Sequence, residues 1–92
     1  MSDQLTHVGF GNYILVPRIL SIVALNSAPV RRSVKEAQEK SLIIDMSNGR
    51  KVKSVIYYDN GHLGLSALSP ETIQMRIKEG EWMLIELIYG VQ

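Results

Sequence analysis

Three cations within four residues follow a tight-turn signal near the middle of this chain. The turn signal is Asn48-Gly49, and the cations after it are Arg50, Lys51 and Lys53. Asn-Gly is the strongest short-range indication of a two-residue β-hairpin, because both central residues must adopt positive φ. We therefore predict a hairpin with a cationic projecting tip. Such a tip can bind phosphates through charge and hydrogen bonds, so the pattern favours recognition of a polyanion.

The charge of the chain is unevenly distributed. Residues 18–53 contain eight lysines and arginines against three acidic residues, a net +5, whereas the remaining residues have two against six, a net −4. This asymmetry predicts one cationic face and one acidic or neutral face. Arg31, Arg32 and Lys35 are secondary candidates for binding, at the start of a predicted helix whose dipole disfavours cations. Their partner is either a phosphate or an acidic residue of a neighbouring subunit.

The alternation of short apolar runs with turn signals predicts an α+β fold. The 92 residues, 46% hydrophobic and 21% charged, suit one globular domain. Strands are predicted over residues 5–8, 13–16, 19–25, 42–46, 52–58 and 62–68, and helices over 28–40 and 70–79. We expect the strand at 19–25 to be buried and the last three strands to form an antiparallel meander. The sum is a mostly antiparallel sheet with two short helices.

Helix boundary signals divide the chain into two parts. Ser27 and Ser69 are the predicted N-caps of the two helices, and Gly80 is the predicted end of the second. The expected organisation is a domain over residues 1–80 and an apolar C-terminal extension over residues 81–92. The extension suits either a strand or a helix.

The residue inventory disfavours several classes of function. The chain has no cysteine, and His7 and His62 stand apart from other ligand-type residues, so we expect no metal site and no cofactor. Since no nucleophile or acid–base constellation is recognisable, we expect the protein not to be an enzyme. Gly9-Phe10-Gly11 predicts a tight bend, with Phe10 packed in the core or at a subunit boundary. No signal peptide or membrane span is recognisable, so we expect a cytoplasmic protein that does not bind membranes.

Several short motifs together resemble one known family. They are His7-Val8-Gly9-Phe10-Gly11-Asn12, Pro17-Arg18, Ser27-Ala28-Pro29-Val30-Arg31-Arg32, Leu42-Ile43-Ile44-Asp45, Gly49-Arg50-Lys51 and Pro70-Glu71-Thr72. In this order and spacing, over roughly residues 5–77, the chain resembles the RemA-type family of bacterial extracellular-matrix regulators.

The resemblance implies a specific function. Members of that family are DNA-binding activators of biofilm-matrix genes, and their subunits close into a ring around which DNA is thought to wrap. Their DNA-binding arginines match Arg18, Arg50 and Lys51, and the charge pattern adds Lys53. The expected partners are therefore double-stranded DNA and further copies of the chain, in a heptameric or octameric ring. Since lysine lacks the planar fork of arginine, Lys51 should favour phosphate attraction over base reading.

A second hypothesis keeps the ring but not the DNA. The apolar extension over residues 81–92 and the proline at Pro17 favour a ring-forming structural or interaction protein without DNA binding. A DNA titration separates the two hypotheses, whereas a measurement of oligomer size does not.

Overall fold

Nine elements of secondary structure build the described part of the chain. A computed structural model describes residues 4–89, and their side chains as far as Gly80. The elements are β1 (Leu5–His7), β2 (Tyr13–Leu15), a 3₁₀ turn (Val16–Arg18), β3 (Ile19–Ala24), α1 (Ala28–Glu39), β4 (Ile43–Asp45), β5 (Ser54–Tyr58), β6 (Leu63–Ser66) and α2 (Pro70–Tyr89). The predicted α+β class with two helices is confirmed.

The four-stranded sheet is mixed, and the predicted meander is wrong. Its strand order is β3-β5-β6-β4, with β5 antiparallel to both β3 and β6. β4 pairs in parallel with β6, placing Ile43 opposite Leu63. The hairpin between β5 and β6 is present as predicted, but β4 and β5 are separated by β6. Residues 46–53 therefore pass around the end of β6 instead of forming a hairpin.

Both faces of the sheet are covered, because alternate residues of β5 point to different clusters. Ile56 lies with Val8, Ile14 and Ile73, beneath the β1–β2 hairpin and α2. Val55 lies in the other cluster, which α1 covers. Burial on both sides accounts for the continuous aliphatic runs in the central strands.

The strand over residues 19–24 is an edge strand rather than a buried one. β3 pairs on one side only, with β5, and its register shifts between Ile19 and Ser21. Leu20, at the shift, is 70% exposed. A bulge of this kind re-aims a side chain away from the sheet, which an aliphatic run alone does not reveal.

The predicted helix starts are present, but one predicted end is wrong. Ser27 Oγ accepts from Val30 N–H at 3.4 Å, and Ser69 Oγ accepts from Thr72 N–H at 3.2 Å. α2 does not stop at Gly80 and continues to Tyr89. A glycine inside a helix costs only about 1 kcal/mol relative to alanine, so flanking helix formers can override it.

The division into residues 1–80 and 81–92 stays a prediction. Its boundary falls inside α2. Residues 90–92 and the side chains of 81–89 lie outside the described part of the chain. The Gln4 side chain donates to Ile77 O at 2.9 Å, which ties the start of the described chain to α2 just before this boundary.

Candidate nucleic-acid interface

The Asn-Gly pair forms the predicted turn within a longer loop. Arg50 N–H donates to Ser47 O at 3.0 Å across the turn. Asn48 and Gly49 have φ values of 54° and 76°, the positive pair required by a type I′ turn. The local prediction is thus correct, although the flanking strands are not paired with each other. Hereafter residues 46–53 are called the cationic loop.

Side-chain hydrogen bonds fix the first half of the cationic loop. Asp45 Oδ1 accepts from Ser47 N–H at 2.9 Å and from Ser47 Oγ–H at 2.6 Å. These bonds, the hydroxyl first, lower the pKa of the Asp45 carboxyl because they stabilise its charged form. The Met46 side chain is buried in the core, and Met46 O accepts from Asn12 Nδ2 at 3.4 Å. The loop is therefore anchored on both the sheet and the β1–β2 hairpin.

The second half of the cationic loop presents its charges to solvent. Arg50, Lys51 and Lys53 are all exposed. The backbone of Lys53 is held like a strand, since its N–H donates to Ser66 O at 2.9 Å and its carbonyl accepts from Leu25 N–H at 3.2 Å. Three cations are thus displayed from an ordered backbone, which avoids much of the entropy loss of ordering a mobile segment on binding.

The Arg50 guanidinium lies over an aromatic ring, that of Phe10, for which the sequence predicts a different environment. Its guanidinium carbon lies 5.2 Å from the centroid of the Phe10 ring, within the range of a cation–π contact. Phe10 is 46% exposed at the tip of the β1–β2 turn, so its predicted packing in the core is wrong. Burial at a subunit boundary, the alternative, stays a prediction.

Arg18 is held at the other end of the sheet. Its Nε donates to Asp59 Oδ2 at 2.7 Å, the one ion pair found among the described residues. Asp59 N–H also donates to Arg18 O at 3.0 Å. The hydrogen bond and the charge of Asp59 raise the pKa of the Arg18 guanidinium above its ordinary value. Arg18 is therefore partly neutralised, and its Nη groups remain free of partners in the described part of the chain.

Within one subunit the predicted DNA-binding residues lie at two separate places, the cationic loop and the site of Arg18. Lys53 precedes the first residue of β5, and Asp59, the partner of Arg18, follows the last. A strand rises about 3.3 Å per residue, so these two positions lie roughly 20 Å apart. The structure brings Arg50, Lys51 and Lys53 together in one loop but leaves Arg18 separate.

The secondary candidates occupy a third place. Arg31, Arg32 and Lys35 are exposed on α1, which has no acidic residue in its first turn. α1 covers the sheet face opposite the β1–β2 hairpin. Their predicted partners, a phosphate or a neighbouring subunit, stay a prediction.

Two contacts at these places were missed by sequence reasoning. The sequence patterns do not pair Asp59 with Arg18, and they predict Phe10 in the core or at a subunit boundary rather than beside Arg50. Finding the Arg18–Asp59 pair requires the pairing of β3 with β5, and finding the Phe10–Arg50 pair requires the docking of the hairpin on the cationic loop. Neither is encoded by local spacing, since 41 residues separate the first pair.

A family model described as "RemA-like: Extracellular matrix regulatory protein A-like" matches residues 5–77 of this chain. The chain belongs to the RemA-like family. The match covers all three groups of cations described above, namely the cationic loop, Arg18 and the cations of α1. It confirms the family resemblance drawn from the motifs.

Similar proteins from several bacteria carry one shared description, "Putative regulatory protein". One from Dehalococcoides mccartyi is 47% identical over 77 residues, covering 84% of this chain and 80% of the relative. One from Synechococcus elongatus is also 47% identical over 77 residues, covering 84% of this chain and 88% of the relative. One from Clostridium perfringens is 38% identical over 86 residues, covering 94% and 97% of the two chains.

Within residues 4–89, no helix combines the length and the hydropathy needed to cross a bilayer.

Proposed function

We propose that this RemA-like chain is a regulatory protein that binds double-stranded DNA through the cationic loop. The RemA-like family and the names of its relatives support a regulatory role. The observation that carries DNA binding is the loop itself: Arg50, Lys51 and Lys53 are exposed on a backbone anchored by hydrogen bonds. No carboxylate in the described part of the chain pairs with these cations.

The binding mode follows from the residue types. Lysine contributes a point charge and arginine a planar fork, and both neutralise phosphates and release counterions. A loop with one arginine and two lysines offers little direct reading of base edges. Preference among sequences would then come from the shape and deformability of the DNA.

Several copies acting together would make this interface effective. Three cations per subunit give only weak binding, whereas copies in a homo-oligomer contact one DNA at high effective concentration. We propose the heptameric or octameric ring implied by the family resemblance. Arg18, roughly one strand length from the cationic loop, would provide a second phosphate contact on each subunit.

The biological setting is proposed from the family description. Extracellular-matrix regulation points to control of biofilm-matrix genes. A regulator of promoters works where the chromosome lies, so the proposed location is the cytoplasm. A DNA-bound regulator of this kind needs no catalytic centre.

A titration against salt tests the proposal. We expect the wild-type protein to bind a duplex with an affinity that falls steeply as salt rises, at about −0.9 in log–log slope per phosphate neutralised. Arg50→Ala should bind more weakly and with a shallower slope. Lys78→Ala, which removes an exposed charge from α2, is the matched control and should leave both unchanged. A flat salt response of the wild type, or unchanged binding by Arg50→Ala, would contradict the proposal.

A ring-forming protein without DNA binding is the second candidate. The observation that favours it is the Arg18–Asp59 ion pair, because the carboxylate neutralises one of the expected DNA contacts. Mass measurement in solution would show the same ring for both candidates. Titration with specific and random-sequence duplexes distinguishes them, since the second candidate binds neither.

A further inference from the structure

The turn between β1 and β2 holds an aromatic residue in a backbone conformation that suits glycine. Gly9, Phe10 and Gly11 have φ values of 104°, 52° and 76°. Asn12 N–H donates to Gly9 O at 3.0 Å and closes this turn. Positive φ is a true outlier for a bulky side chain, and such outliers concentrate at functional sites. The ring at position 10 therefore needs an explanation beyond the turn.

Packing in the hydrophobic core does not explain why an aromatic residue occupies this position. The Phe10 ring is 46% exposed and is absent from both buried clusters, whereas Val8 and Ile14 on either side of the turn are buried. What the ring does contact is the guanidinium of Arg50, 5.2 Å from its centroid. The exposed aromatic ring thus lies beneath a cation of the proposed interface.

The two loops that carry this pair are braced against each other. Asn12 Nδ2 donates to Gly9 O at 3.0 Å within the turn and to Met46 O at 3.4 Å in the cationic loop. Met46 is itself buried, so the brace is fixed to the core. The position of the Phe10 ring relative to the start of the cationic loop is therefore set by the fold.

We propose that Phe10 is a positioning residue for Arg50, whose guanidinium it holds in the orientation that meets a DNA phosphate. A guanidinium held over a ring by a cation–π contact keeps N–H donors free for a phosphate, whereas one held by a carboxylate loses some of them. A side chain restrained in this way also has less rotamer freedom to lose on binding. This inference rests on the DNA-binding function proposed above.

A double-mutant cycle tests the proposal, with the affinity for a DNA duplex in inorganic salt as the measured quantity. Phe10→Leu keeps an apolar side chain but removes the aromatic face, and should weaken DNA binding about two- to fivefold for each subunit in contact. Phe10→Tyr keeps the face and should bind as the wild type does. In an Arg50→Ala background, Phe10→Leu should have little further effect, whereas in a Lys51→Ala background it should have its full effect.

The outcomes separate this inference from the proposed function. If the wild type shows no salt-dependent binding, the proposed function is overturned. If the wild type and Phe10→Leu bind equally well, or if the loss in Phe10→Leu persists in full with Arg50→Ala, only the positioning role is overturned. Should Phe10→Leu fail to fold, Arg50→Lys serves instead, since it keeps the charge but loses the planar group. Affinity equal to the wild type in that variant would also overturn the role.

Discussion

If Arg18 contacts DNA as proposed, its ion pair with Asp59 should limit the charge that it offers to a phosphate, and Asp59→Asn tests this directly. The carboxylate lies 2.7 Å from Arg18 Nε, and the asparagine oxygen could still accept that hydrogen bond. The substitution therefore removes a negative charge while leaving the geometry of the contact possible. We expect the variant to bind DNA more tightly than the wild type.

The size of the effect follows from the geometry of the pair. A phosphate that hydrogen-bonds the free Nη end of Arg18 would lie about 7 Å from the Asp59 carboxylate. Two like charges at that distance in water repel enough to weaken binding about threefold. Screening reduces the effect as salt rises, so we expect a gain of about two- to threefold per contacting subunit at low salt. The pair is well exposed, with 57% and 38% of the two side chains accessible, so stability should change little.

The assay is a duplex titration at several salt concentrations, with wild type, Asp59→Asn and a charge-matched control. Glu39→Gln makes the same change in net charge on an exposed residue at the end of α1. An equal gain in both variants would mean that overall charge, rather than the masking of Arg18, causes the effect. A loss of affinity in Asp59→Asn would refute the reasoning outright, because it would show that Asp59 orients Arg18 more than it neutralises it.

Two further predictions concern the elements that support the interface. Ser69→Ala removes the hydroxyl that accepts from Thr72 N–H, so urea unfolding should show a loss of about 0.5–2 kcal/mol. Because the pKa of Asp45 is lower in the folded state, its ionised carboxylate stabilises the fold at pH values above the unfolded-state pKa of about 4. This stabilisation is lost as the pH falls through the folded-state pKa. Thermal melts at pH 5 and pH 3 should therefore show a smaller acid-induced loss for Asp45→Asn than for the wild type, whereas equal losses would contradict this assignment.

The parts of the fold that sequence predicts well are those decided by neighbours along the chain. The caps at Ser27 and Ser69 depend on a side chain and a backbone group three residues away. The positive φ values of Asn48 and Gly49 likewise follow from the two residue types. The same local reasoning located the cationic loop and its three charges.

The parts that sequence predicts poorly are decided by contacts between distant segments. An apolar run such as residues 42–46 suits either neighbour in a sheet, so nothing local distinguishes the observed parallel partner β6 from the predicted antiparallel partner β5. The hairpin prediction at Asn48 failed for this reason although its turn is correct. Gly80 is predicted to end α2 because glycine is common just after a helix. The residues that carry α2 past it suit a strand as well as a helix, so they do not overrule that local signal.

The two arginines proposed to contact DNA are held by forces that respond differently to solution conditions. The Arg18–Asp59 pair is exposed and electrostatic, so salt weakens it, whereas the contact of Arg50 with the Phe10 ring has no charged partner to screen. Because about 20 Å of strand separates the two places, no single phosphate can bridge them. Changes at the two places should therefore act independently. In the double variant, the change in binding free energy should equal the sum of the gain from Asp59→Asn and the loss from Phe10→Leu. A strong deviation from this sum would show that Arg18 of one subunit and Arg50 of a neighbouring subunit contact the same segment of DNA backbone.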